Sequence, residues 1–262
     1  MHLVADTTNR RADAWAWRFV FTALSFGFFG LGGLVLRGLV LPVVLNWPAP
    51  IAVRRRRARR TVGKAFWLHS QFMYRTGVID YRFEGLERLG RPGQMIVANH
   101  PSLIDVVFLI GHVPDANCVV KHSLWENPFM RGPVRAAQYI SNDGSADMLD
   151  RAAGVLREGQ TLIVFPEGTR TTPGHAPVFH RGGAAIAIRG AEIVTPVFIT
   201  VVPTTLTKAE PWYRVPHRRV HMVFRVGEDI DVASFRDAAP APIASRRLNE
   251  HLHQLYAAEL HA

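Results

Sequence analysis

The sequence predicts an α/β fold: a mixed, largely parallel sheet flanked by helices, preceded by an N-terminal apolar helical membrane anchor. Three observations carry that prediction. Residues 19–36 run for eighteen positions without a charge, just long enough to span a hydrocarbon core. After residue 61, short apolar runs that read as buried strands alternate with segments of helical periodicity. Two of these runs, 95–98 and 161–165, end in polar loops marked by Gly and Pro, and such loops form the usual ligand edge of an α/β sheet.

Taken in order, residues 1–14 are polar and expected to be loosely ordered. Trp15, Trp17 and Arg18 precede the apolar run, Arg37 interrupts it, and residues 38–53 continue it through Pro42, Trp47, Pro48 and Pro50. Gly27, Gly30, Gly32, Gly33 and Gly38 would weaken a soluble helix but are common in membrane helices. Basic residues lie on both sides: Arg10, Arg11 and Arg18 before, and Arg54, Arg55, Arg56, Arg57, Arg59 and Arg60 after. Cationic flanks favour the cytoplasmic side. With Arg37 and Pro42 between them, they suit two short helices that enter and return, a re-entrant or monotopic hairpin over 15–53, in preference to the alternative of a single span. Two units follow: 1–60, the anchoring segment with its Arg-rich flank, and 61–262, the catalytic domain.

Within the second unit, Val62, Phe66, His69, Phe72 and Met73 predict an amphipathic helix over 61–76, stopped by Gly77. Strands are predicted at 79–83, 95–98, 117–120, 138–141, 161–165, 193–202 and 219–226. The last alternates cleanly and reads as an edge strand. Helices are predicted at 106–110, 128–137, 146–158 with Ser145 as N-cap, 181–189 opened by Gly182-Gly183, and 246–260. The βαβα rhythm argues for helices on both faces of the sheet.

Composition narrows the function. The formal net charge is +10, which favours an anionic partner: a membrane surface, a phosphorylated substrate or nucleic acid. The Arg cluster abuts an apolar segment, and no aromatic-interleaved basic face follows, so nucleic acid is set aside. The one cysteine, Cys118, excludes an internal disulfide framework and any multi-cysteine metal site; its apolar neighbours make it a buried structural thiol. His175 and His180 flank Pro177 and cannot form a regular helical ligand pair, so no metal is expected.

Chemistry concentrates at two strand ends. Asn99-His100-Pro101-Ser102-Leu103-Ile104-Asp105 places a histidine and an aspartate five residues apart at a strand-to-helix junction. A neutral imidazole can take a proton from a hydroxyl near pH 7, and a carboxylate on its other nitrogen would orient it and stabilise the imidazolium. The alternative is a capping loop with Ser102 or Asn99 as N-cap. Ser102 lacks the Gly-x-Ser-x-Gly elbow of a nucleophile. The second end, Pro166-Glu167-Gly168-Thr169-Arg170, combines a glycine that permits close approach with a guanidinium suited to phosphate or carboxylate.

These motifs together resemble the glycerolipid acyltransferase family that includes the lysophosphatidic acid acyltransferases. Asn-His-x4-Asp and Phe-Pro-Glu-Gly-Thr-Arg stand in order with two further blocks: 121–132, similar to the family's Lys-x2-Leu-x3-Pro-x3-Gly, and 194–199, similar to its proline-containing fourth block. The resemblance covers roughly residues 80–230. It implies a glycerol-3-phosphate acyltransferase-like fold, with His100 as general base and Asp105 as its orienting partner. It further implies that Glu167, Gly168, Thr169 and Arg170 bind the acceptor's glycerol and phosphate. Lys121 would add a cation, with Arg131 a weaker candidate, and Pro196 would shape a wall of the substrate or acyl site as structural support. The oxyanion would be met by backbone N–H groups near Gly168 or at the helix start after Pro101.

The expected activity is transfer of a fatty acyl group from an acyl thioester to the hydroxyl of a lysophospholipid, foremost 1-acyl-sn-glycerol-3-phosphate. Acyl-CoA or acyl carrier protein would enter as donor substrate, without a cofactor. The partners expected are the bilayer and the lysophospholipid, at the cytoplasmic face of the inner membrane. The alternatives are another acceptor such as a lyso-aminolipid, a His-based thioesterase, or a lipid-binding scaffold.

Overall fold

The computed structural model describes residues 14–261. The polar N-terminal stretch and the flanking Arg10 and Arg11 lie outside the described residues. The chain begins with a helix over Trp15–Val35 (α1), passes through one π-helical turn at Leu36–Val40 and continues as Leu41–Asn46 (α2). Trp15–Asn46 is long and apolar enough to cross a membrane. The predicted break at Arg37 and Pro42 is absent. Pro42 falls in the first turn of α2, where a missing N–H costs least, and the π turn absorbs the register change.

The chain reverses at Trp47-Pro48-Ala49-Pro50 into Ile51–Arg75 (α3). The hairpin is therefore α1–α2 against α3, not two short helices within 15–53. The helix predicted over 61–76 starts ten residues earlier and runs through the boundary set at 60/61. Its Arg-rich turn is partly internal. Arg59, 6% exposed, and Arg56 both bind Asp115 at 2.9 Å, and Arg54 donates to the Leu45 carbonyl. Glycine permits close packing of the N-terminal helices: a Cβ on Gly33 would stand 2.5 Å from the Phe129 carbonyl, and one on Gly111 would stand 2.8 Å from the Trp67 nitrogen.

Eight strands follow: β1 Ile79–Glu84, β2 Gln94–Ala98, β3 Asn117–Lys121, β4 Ile140–Asn142, β5 Leu162–Val164, β6 Ile193–Val202, β7 Val220–Val226 and β8 Ile230–Asp231. They form one sheet in the order β1-β7-β6-β2-β5-β3-β4, with β8 on β6. From β6 to β4 every neighbour is parallel; β7 runs antiparallel to β6 and parallel to β1. β7 is thus not an edge strand. Its alternation arises because Val220, Met222, Phe224 and Val226 face the core while His221 is exposed, and β1 covers its outer edge.

The helices between the strands are α4 Asp105–His112, α5 Arg131–Ala137, α6 Ala146–Arg157, α7 Arg181–Gly190, α8 Ala233–Arg236 and α9 Ala241–His261. Ser145 caps α6, its Oγ accepting the Met148 N–H, as predicted. The helix predicted at 246–260 begins five residues sooner. One core forms between the sheet, α3 and α4, around Phe66, Phe108 and Phe224. A second forms on the other face under α6, α7 and α9. Tyr256 of α9 reaches through the second core to donate to the Val97 carbonyl at 2.7 Å and accept the Val197 N–H at 3.2 Å. It pins the two central strands that lead to the site.

Candidate active site

Strand register brings the two motifs together. β2 and β5 are parallel with Val97 opposite Val164, so each strand ends on the same edge. Three residues beyond these partners stand His100 and Glu167. The Glu167 carboxylate accepts the His100 main-chain N–H at 2.8 Å and the Thr171 hydroxyl at 2.7 Å. The Thr171 N–H in turn donates to the His100 carbonyl at 2.8 Å. Asn99 ties the same loop to β6: its side chain donates to the Ile199 carbonyl and accepts the Ile199 N–H, both at 2.8 Å. The histidine therefore sits on a backbone fixed from two sides.

Asp105 opens α4 and is fully buried. Its Oδ2 stands 3.0 Å from His100 Nδ1 and accepts the Ser102 N–H at 2.7 Å. This pairing leaves Nε2 as the ring nitrogen available to a substrate. Burial pushes the Asp105 carboxyl above its ordinary value; the His100 and Ser102 hydrogen bonds and the nearby Arg170 charge work against that rise. Burial likewise raises Glu167, opposed by its Thr171 and His100 bonds. The capping alternative fails, because Ile104 occupies the N-cap with no side-chain bond. Ser102 is buried with no hydrogen-bond partner for its Oγ among the described residues. Asn99 is bonded to β6 instead.

His100 lines a cavity of about 400 Å³. Gly168, Thr169, Arg170 and Lys121 also line it. Gly168 has φ +64°, a left-handed turn that glycine accepts without strain. Arg170 donates through Nη1 to the carbonyls of Leu206 and Thr207, each at 2.8 Å, and this fixes the guanidinium at the wall. Three predicted residues do not line the cavity. Glu167 faces the His100 backbone, so it positions the histidine. Arg131 starts α5, away from the dyad. Pro196 lies within β6 opposite Val97 and accepts the Gly227 N–H, a placement that fits structural support of the strand. Two expected oxyanion donors are also taken: the Gly168 N–H binds the Phe165 carbonyl and the Ser102 N–H binds Asp105.

Part of the site was not foreseen. The cavity runs up to the N-terminal hairpin, where Arg18, Thr22, Ser25, Phe26 and Phe29 of α1 and Phe66, His69 and Met73 of α3 line it. A signal was present in the sequence: Arg18, Thr22 and Ser25 recur at helical spacing on one face of an otherwise apolar run. The loop 203–218 closes the same side. Trp15 donates to the Val215 carbonyl at 3.0 Å, Arg18 donates to Pro216 and His217, and Trp212 lies against Phe26 with ring centres 5.7 Å apart. Cys118 is fully buried, its thiol pushed up to about 12 by burial, which fits the inert role predicted for it. Among the described residues, no group of three or more His, Cys, Asp or Glu is placed to hold a metal ion.

A parallel sheet whose strand-end loops join a His–Asp pair to an anion-suited Gly-Thr-Arg turn defines a class of α/β domain that is also found by comparison. Residues 80–206 match the acyltransferase family model. Over that stretch the chain is similar to the acyltransferase family. The 1-acyl-sn-glycerol-3-phosphate acyltransferase of Pseudomonas aeruginosa is 30% identical over 125 residues, covering 45% of this chain and 49% of that protein. The enzyme of that name from Helicobacter pylori is 29% identical over 158 residues, covering 57% and 61%. The match thus spans about half the length of these curated relatives. The crystal structure of the 1-acyl-sn-glycerophosphate acyltransferase PlsC from Thermotoga maritima superposes with a TM-score of 0.68 over 94% of this chain and 98% of that one, at 21% identity, and shows the shared fold.

Proposed function

We propose that this protein is a membrane-associated O-acyltransferase that moves a fatty acyl group from an acyl thioester to the hydroxyl of 1-acyl-sn-glycerol-3-phosphate, giving phosphatidic acid. The observation that carries the reading is the His100–Asp105 pair opening on a largely apolar cavity beside Arg170 and Lys121. Among ordinary nucleophiles, Ser102 is sealed from solvent and the Cys118 thiol is inert. On this reading the acceptor's own hydroxyl attacks, and it needs a base.

His100 Nε2 takes the hydroxyl proton as the oxygen attacks the thioester carbonyl. Asp105 holds the Nδ1 proton and stabilises the imidazolium. The tetrahedral intermediate collapses with loss of thiolate, which recovers the proton from His100. Thr169 and Arg170 supply the polar groups nearest the developing oxyanion and the phosphate. The donor is acyl-CoA or acyl carrier protein, and its chain occupies the apolar arm of the cavity between α1 and α3. No cofactor enters this scheme.

Membrane association is supported by the outward face of α1 and α2, where Leu24, Leu31, Leu39 and Val43 are 52–66% exposed. Such a face, with its basic flank, suits the cytoplasmic leaflet of the inner membrane. The test is acyl transfer by purified protein, offering labelled acyl-CoA and acyl carrier protein against lysophosphatidic acid, a lyso-aminolipid and water, beside His100→Ala. Phosphatidic acid that disappears in the variant supports the reading. Transfer to another acceptor keeps the mechanism and changes the substrate, and free fatty acid alone would favour a thioesterase.

A further inference from the structure

Helix α1 is inverted relative to a helix on a water-soluble core. Its outward positions are Val, Leu and Phe, and its buried residues are Arg18, Thr22, Ser25 and Gly33. The polar side chains point into the protein, and they meet one from α3. Ser25 Oγ lies 3.3 Å from His69 Nε2. His69 is 5% exposed, its ring edge-on to Phe29 with centres 5.1 Å apart. Its Nδ1 is buried with no hydrogen-bond partner among the described residues.

Thr22, Ser25 and His69 line the cavity that reaches His100. Around them the arm is lined mostly by apolar residues, Phe26, Phe29, Phe66, Met73, Val78 and Ile79, with Arg18 at its edge, a surface largely suited to hydrocarbon. A site built only for a saturated chain gains nothing from two hydroxyls and an imidazole there. Held by His69 Nε2, the Ser25 hydroxyl keeps hydrogen-bonding capacity to offer a ligand in the cavity, as does the Thr22 hydroxyl. Burial also lowers the imidazole to about 4, so at neutral pH the ring is uncharged, with one donor and one acceptor nitrogen. An uncharged ring holding the Ser25 hydroxyl suits a ligand hydroxyl, which both donates and accepts.

We propose that Thr22, Ser25 and His69 form a polar subsite in the wall of the acyl cavity, selecting a fatty chain that carries a hydroxyl along its length. This rests on the reading of the cavity as the acyl site. The gain from one or two hydrogen bonds in a preformed pocket corresponds to a roughly three- to tenfold preference in affinity.

Binding without turnover tests it. Stearate and its positional hydroxy isomers would compete with a fluorescent fatty acid on the detergent-solubilised full chain, in wild type, His69→Phe, Ser25→Ala and Thr22→Val. At least one isomer should bind about three- to tenfold tighter than stearate in the wild type. That preference should fall to near unity in His69→Phe; if that variant does not fold, Ser25→Ala and Thr22→Val should each reduce it. Equal binding of all chains by the wild type, or a preference unchanged in the variants, would overturn the subsite. Hydroxyl preference in a protein that transfers no acyl group would leave the subsite standing and sink the transferase reading. Transfer from stearoyl-CoA with no hydroxyl preference would do the reverse.

Discussion

Replacing Asp105 with Asn isolates the role of its charge. Asp105 Oδ2 accepts two hydrogen bonds, from His100 Nδ1 at 3.0 Å and from Ser102 N at 2.7 Å, while Oδ1 is buried without a partner. An amide oxygen in the Oδ2 position keeps both bonds and puts its NH₂ where Oδ1 was, so the loop has no reason to move. What disappears is the negative charge facing the imidazolium. At 3.0 Å and an effective dielectric near 20, that attraction is about 5–6 kcal/mol for a full positive charge. Proton transfer is partial at the transition state and the amide dipole retains some of the effect, so roughly 3–5 kcal/mol should be lost. We expect kcat to fall about 10²–10⁴-fold at saturating donor and acceptor, with little change in either KM. A kcat within threefold of wild type, in a variant with unchanged circular dichroism, would refute the dyad. The same variant has a stability signature. Burial raises the Asp105 and Glu167 carboxyls, so the folded chain holds their protons more tightly than the unfolded one. Their favourable contribution is complete below the ordinary carboxylate range and is lost as pH rises through the raised values. Urea unfolding from pH 4 to 8 should show a shallower decline for Asp105→Asn than for wild type.

Arg170→Ala removes a cavity-lining guanidinium but leaves the dyad, so KM for a phosphorylated acceptor should rise about tenfold or more while kcat changes less; an unchanged KM would place the phosphate elsewhere. Tyr256→Phe strips the hydroxyl that bridges Val97 and Val197, at a cost of about 1–2 kcal/mol, and should lower Tm by roughly 2–6 °C, read by scanning calorimetry. Leu24→Glu, Leu31→Glu and Leu39→Glu together alter only the outward face of the N-terminal helix. They should shift the protein from the pellet to the supernatant in co-sedimentation with anionic vesicles, with the folded signal retained.

The two loops of the candidate site were legible because their chemistry is local. A histidine and an aspartate five residues apart need only a strand end and a helix start to meet, and both elements announced themselves by apolar runs. The role of Glu167 was not legible. Its contact with the His100 backbone depends on the β2–β5 register, a pairing of residues 67 positions apart that no local pattern encodes. The place of Pro196 was not legible for a similar reason: read as structural support at a wall, it is put inside the sheet by the register with Val97. The hairpin was misjudged at Arg37 and Pro42, because a π turn and a first-turn proline let a helix continue through residues that usually stop one. β7 alternates like an edge strand, yet β1 pairs with it along its whole length.

The largest gap concerns the N-terminal segment, and it bears on how the domain works. Reading 1–60 as an anchor treats it as separable from the chemistry. In the fold, α1 presents two surfaces with opposite tasks. The Leu24 and Leu31 side faces outward; the Thr22 and Ser25 side closes the cavity. Contacts at Gly33 and from Arg18 to the 203–218 loop clamp the helix to the domain on both flanks. On the proposed reading, a lipid chain leaving the bilayer has one helix to pass, and that helix already forms the wall of its binding site. The acceptor and product then need not cross water. The same geometry explains why polar residues survive in so apolar a helix: facing lipid they would be costly, whereas facing the cavity they are available to a ligand.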